Sequence, residues 1–125
     1  MRSEAKLVGA ALAAGRIAIG AGIWLAPKPA ARTLGFDRFD SRALILARIL
    51  AGRDLVLGVW QASALGNPAA LRPVSAAAAI ADAGDALAFA LALAAGNERS
   101  AGLRGVAVAL PAAIAGAWLV GQAEI

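Results

Sequence analysis

The chain of 125 residues has no cysteine, no histidine and no tyrosine, and its only methionine is Met1. Without cysteine there is no disulfide, no thiol redox chemistry and no thiolate metal site. Without histidine the chain lacks the commonest metal ligand and the usual general base of neutral pH. Haem, iron–sulfur and copper centres would find almost no ligands, so no cofactor and no metal is expected. Charge is scarce as well. Asp, Glu, Lys and Arg make up 16% of the residues, against about a quarter in an ordinary soluble domain. A net charge of +4, with its basic residues scattered among apolar runs, is a poor match to a nucleic-acid partner.

What remains is apolar. Hydrophobic residues account for 61% of the chain and the mean hydropathy is +0.73. The length allows a single domain, residues 1–125. Much of the apolar content is alanine, a strong helix former but a weak hydrophobe, which leaves a soluble Ala-rich bundle as a competing reading. Four apolar runs of spanning length, separated by Pro, Gly and charged breaks, favour an all-α, four-helix integral membrane bundle with short loops.

The predicted helices lie near 6–26, 43–65, 72–95 and 103–122. The first carries one internal charge, Arg16, which also interrupts the apolar core that a signal peptide would need. Pro27 and Pro29 are expected to end it. The connection from Lys28 to Arg42 is the most charged part of the chain, and LGFDRFD within it suggests a short interfacial turn. Asp40 or Ser41 is the expected N-cap of the second helix. Gly66-Asn67-Pro68 reads as a stop and turn, Pro73 as a first-turn proline of the third helix, and Gly96-Asn97 as its C-cap signal. Pro111 predicts a kink in the fourth helix.

The stretch ARILAGRDLVLGVW, Ala47 to Trp60, places Arg48, Arg53 and Asp54 inside the second apolar run. A charge at bilayer depth costs roughly 2.5–3.5 kcal/mol on insertion scales, so such groups face protein or water and find partners. At 1.5 Å per residue, Arg16, Arg53, Asp54, Asp82 and Asp85 all reach about the same depth, ~13–18 Å from one face or the other, with Arg48 about two turns away. Asp82 and Asp85 are three apart and share a helical face. Three arginines balance three aspartates, which predicts a buried ion-pair network of Arg16, Arg48, Arg53, Asp54, Asp82 and Asp85 joining the first three helices. Which arginine meets which aspartate is left open by the sequence.

Such a network can simply fix the packing of helices that gain no hydrophobic advantage from touching in lipid, with Gly9, Gly15, Gly20, Gly52, Gly58 and Gly84 as close-approach points. It can equally mark a substrate, ion or proton site. Trp24 would fall at one interface and Trp60 and Trp118 near the other, as an aromatic belt or as ordinary core.

Gly15-Arg16, WLAPKPAARTLGF, AGRDLVLG and an Asp-bearing third helix together resemble a family of small four-helix bacterial and fungal membrane proteins of unknown function. The resemblance covers nearly the whole chain, and GRDLVLG at Gly52 to Gly58 is its most specific part. A looser similarity is to DoxX-like four-helix proteins. Both imply an integral membrane protein and neither implies an activity. The expected function is therefore a small non-enzymatic membrane protein, an oligomer or a subunit of a membrane complex, partnered by the lipid bilayer. The alternative is a small transporter or channel that uses the charge cluster. A third possibility, a lipid-phosphate enzyme holding Mg²⁺ at Asp82 and Asp85, rests on a lone DxxD and is the weakest. Lys and Arg are more numerous around 28–42 and 98–104 than on the other face, so both termini are expected outside a multi-pass protein of the cell membrane.

Overall fold

Prolines and glycines set the helix ends. The computed structural model describes residues 1–123, which form five helices and no strand: α1 (Ser3–Leu25), α2 (Pro27–Thr33), α3 (Ser41–Ser63), α4 (Pro68–Ala94) and α5 (Arg99–Gln122). The fold class is all-α, with one helix more than the sequence suggests. Ala26 precedes a proline and is held out of the helical region, at φ −139° and ψ 68°, which ends α1. Pro27 then occupies the first position of α2, where its missing N–H costs nothing. The same proline closes one helix and opens the next, and α2 fills part of what reads as a loop.

Gly35 terminates α2 at φ +92°, with its N–H donating to Arg32 O (3.0 Å) and that of Phe36 to Ala31 O (2.9 Å). These two bonds are the Schellman arrangement that glycine permits. Asp40 caps α3, its Oδ1 accepting from the Ala43 N–H at 2.8 Å. Asn67 caps α4 by accepting from Ala69 and Ala70, and Pro68 takes the first helical position. Helix α4 thus begins four residues before the predicted 72, which puts Pro73 beyond the first turn, where it removes the donor for the Ala69 carbonyl. Gly96, at φ +75°, closes α4 as Gly35 closes α2. Helix α5 also starts early, at Arg99, and continues unbroken through Pro111.

The long helices associate as two close antiparallel pairs, α1 with α3 and α4 with α5. Missing side chains make the close approach possible. A Cβ on Gly20 would lie 2.8 Å from Ala51 O and from Leu55 Cγ, and one on Gly58 would lie 2.8 Å from Ile17 Cγ1. In the second pair Gly102 faces Leu93, Gly105 faces the ring of Phe89, and Gly116 faces Ala79. Gly9 makes a third kind of contact, against Leu65 and Leu119. Gly15 and Gly84, predicted as approach points, have nothing within 4 Å, and Gly52 meets only Trp24 Nε1 at 3.8 Å.

The two pairs join firmly at one end. Ala5, Ala64, Leu71, Val74, Leu119 and Ala123 form a buried cluster where the N-terminus, the α3–α4 connection and the end of α5 meet. At the opposite end α2 and the first turns of α5 meet: Arg104 Nη1 donates to Thr33 O at 2.8 Å, and Gly35 lies against Ser100 and Ala101. A guanidinium on the last carbonyl of α2 satisfies a group that the helix leaves unbonded.

Three helices, α1, α4 and α5, are long and apolar enough to cross a membrane. Helix α3 has the length of α1 but carries Arg42, Arg48, Arg53 and Asp54, and does not join that group. The outer surface is apolar: Leu7 is 72% exposed and Ile80 is 73% exposed. On α3, Ile45, Ile49, Val56 and Val59 recur at helical spacing along one exposed face, opposite its buried Ala51, Leu57, Gly58 and Gln61.

Candidate functional site

Three helices supply the charges. Arg53 and Asp54 are consecutive on α3 and so point about 100° apart around its axis. Arg53 reaches α4, while Asp54 turns towards Arg16 on α1. Asp82 and Asp85 are stacked one turn apart on α4. Arg16 Nη2 donates to Asp82 Oδ2 and to Ala78 O (3.3 Å), and its Nη1 lies 3.9 Å from Asp54 Oδ1. Arg53 holds Asp85 with two prongs, Nη1 to Oδ1 at 3.2 Å and Nη2 to Oδ2 at 2.7 Å, and Nη2 also donates to Asp54 Oδ1 at 3.4 Å. Two bridges therefore cross between the helix pairs, α1 to α4 and α3 to α4.

The network contains two guanidinium groups and three carboxylates. Arg48, grouped with them by the sequence, stands apart: its guanidinium carbon lies 5.4 Å from the ring centroid of Trp24. The reason is azimuth. Five residues separate Arg48 from Arg53, which rotates one from the other by about 140° as well as shifting it along the helix. The tryptophan face attracts the cation and shields its stem. Helical depth alone does not register that rotation.

Asp54 is the least satisfied of the three acids. Its contacts with the two arginines, at 3.4 and 3.9 Å, both involve Oδ1, and among the described residues no group donates to its Oδ2. The Nε atoms of Arg16 and Arg53 are buried with no hydrogen-bond partner among the described residues.

These groups form one wall of a cavity of about 460 Å³ between the two helix pairs. Its other walls are apolar: Ile19 and Ile23 from α1, Leu46 and Leu50 from α3, Phe89 from α4 and Val108 from α5. Phe36, Arg38 and Phe39, from the segment between α2 and α3, line the end towards α2. The ring of Phe89 lies directly on Gly105, where any side chain would displace it. Ile19, Leu46, Leu50 and Val108 line it and remain exposed, so the cavity is open to the molecular surface rather than sealed.

Among the described residues no lining side chain is a hydroxyl, thiol, amine or amide. Asp82 and Asp85 are each turned to a different arginine, and among the described residues no three acidic side chains converge on a point that could hold a metal ion. The arrangement is suited to binding and to exchange of ion-pair partners.

Comparison with family models, with curated proteins and with solved structures returns no match to this chain.

Two buried polar residues lie outside the predicted set. Gln61 and Ser75 are fully buried and joined by a bond from Gln61 Nε2 to Ser75 Oγ at 3.3 Å, near the closed end of the molecule. Both stand as isolated polar residues in apolar runs, as Arg16 does. The cavity itself has no counterpart in the sequence.

Proposed function

We propose that this chain is a four-span integral membrane protein of the cell membrane whose intramembrane cavity binds a small, largely apolar molecule beside the ion-pair network. One observation carries the reading: the network forms one wall of an apolar cavity that is open to the molecular surface. A network whose only task was to lock helices together has no need of an adjoining cavity, and its hydrogen bonds are stronger in a water-free, low-dielectric interior. Here the Arg53 and Asp85 side chains each remain 33% exposed.

Helix α3 is taken as the fourth span although its charges lower its hydropathy. Those charges point to other helices or to Trp24, while its exposed face is Ile, Val and Leu, as a lipid-facing surface requires. A purely structural clasp, in an oligomer or membrane complex, is the second reading, and the near-complete burial of Arg16 favours it.

The chain should stay in the membrane fraction through alkaline carbonate extraction. Purified in neutral detergent, it should bind a neutral apolar fluorophore such as N-phenyl-1-naphthylamine saturably. Replacing Ala47, a small lining residue, by tryptophan should abolish that binding. Release by carbonate refutes the membrane reading, and absence of saturable binding in the unaltered chain leaves the structural clasp.

A further inference from the structure

We infer that the cavity selects a hydrophobic monocation, an amphiphilic amine or quaternary onium compound, with Asp54 as its counter-ion. This rests on the cavity being a binding site.

Charge arithmetic at the ion-pair wall points to the sign. With Arg48 withdrawn onto Trp24, Arg16 and Arg53 face Asp54, Asp82 and Asp85, and one carboxylate exceeds the guanidinium groups. The surplus is localised. Asp82 has Arg16 and Asp85 has both prongs of Arg53, so Asp54 takes only the long secondary contacts and keeps Oδ2 free of donors among the described residues. Its side chain is 18% exposed, and it lines the cavity.

Two further cations lie near. Arg38 lines the end towards α2 but is exposed, where water screens it, and Arg48 is not a lining residue. Inside the apolar walls an uncompensated carboxylate exerts the stronger field, because a low effective dielectric leaves it unscreened.

The walls supply the rest of the specificity. Phe36, Phe39 and Phe89 all line the space, and phenyl faces attract organic cations. The aliphatic walls and the opening to the molecular surface favour a ligand that arrives from the hydrocarbon phase rather than a hydrated metal ion or ammonium.

Tetraphenylphosphonium and tetraphenylborate, nearly identical in shape and opposite in charge, test this on the full chain in neutral detergent by equilibrium dialysis against empty micelles. Saturable binding is expected for the phosphonium and not for the borate, and the phosphonium should displace the neutral fluorophore. Asp54→Asn should weaken phosphonium binding by about tenfold or more, as loss of a desolvated charge partner does, while Asp54→Glu retains most of it. Equal or tighter binding of the borate overturns the choice of sign, as does unchanged phosphonium affinity in Asp54→Asn. If the fluorophore binds and the phosphonium does not, the cavity stands and this inference falls. If neither binds, both fall. Should Asp54→Asn fail to fold, the comparison of the two ions on the unaltered chain decides.

Discussion

Arg16 is the residue at which the largest opposing effects meet. Only 7% exposed, it would be strongly unfavourable in an apolar helix were it not placed against Asp82 and the Ala78 carbonyl. Removing either member of such a buried pair strands the other and typically costs ~3–5 kcal/mol, whereas removing both together can be near neutral. Asp82→Ala and Arg16→Ala should therefore each lower thermal stability in detergent sharply, and the double variant should be less destabilised than the sum. Arg53 with Asp85 is a more exposed pair, at 33% for each side chain, and its coupling should be nearer ~1 kcal/mol. Strict additivity in the Arg16–Asp82 cycle would show that the two charges do not stabilise one another. Equal coupling in the two cycles would contradict the difference in burial.

The composition of this site was largely legible from residue spacing. Arg16, Arg53, Asp54, Asp82 and Asp85 share a depth in any stack of these helices, and lone charges in apolar runs must find one another. The partner of each was not legible, because pairing depends on rotation about the helix axes as much as on depth. Arg48 shows the limit: close in sequence to Arg53, it faces Trp24. The cavity was invisible for a deeper reason. Empty space belongs to no residue and arises only from how far apart the helix pairs stand.

At the scale of the helices, glycine decides which surfaces meet. A Cβ at Gly20 would come within 2.8 Å of the Ala51 carbonyl oxygen, a backbone atom that cannot move without shifting α3. Gly20→Ala should then force α1 and α3 apart, at the ~1–3 kcal/mol typical of overpacking. Gly22, two residues on, has nothing within 4 Å. Gly22→Ala should be neutral or slightly stabilising, by up to ~1 kcal/mol, since it only replaces a poor helix former by a good one. Denaturation of the two variants side by side checks this, and a Gly20→Ala protein as stable as Gly22→Ala would mean that the α1–α3 approach is looser than described. The helix ends were readable where one residue performs one task, as at Asp40 and Gly96. They were misread where a residue has two. Pro27 stops α1 and starts α2, and Pro73 is tolerated in the interior of α4 because Asn67 and Pro68 already supply a strong start.

The whole molecule has a closed end and an open one. The apolar cluster of Leu71, Val74 and Leu119 seals the end that holds the N-terminus, while the cavity occupies the half towards α2. Positive charge follows the same asymmetry. Lys28, Arg32, Arg38, Arg42, Arg99 and Arg104 lie at or near the α2 end, against Arg2, Lys6 and Arg72 at the other. An excess of Lys and Arg in short loops marks the cytoplasmic side, so the α2 end should face the cytoplasm and the N-terminus and the α3–α4 connection should face out. The absence of cysteine makes this testable without background. Asp37→Cys, exposed between α2 and α3, leaves the basic count unchanged, and Gly66→Cys, exposed between α3 and α4, reports the opposite end. In intact bacterial spheroplasts a membrane-impermeant maleimide should label Gly66→Cys and not Asp37→Cys, and permeabilisation should make both reactive. The reverse pattern would orient the open half of the molecule outward. A ligand entering from that half would then come from outside the cell rather than from the cytoplasm or inner leaflet.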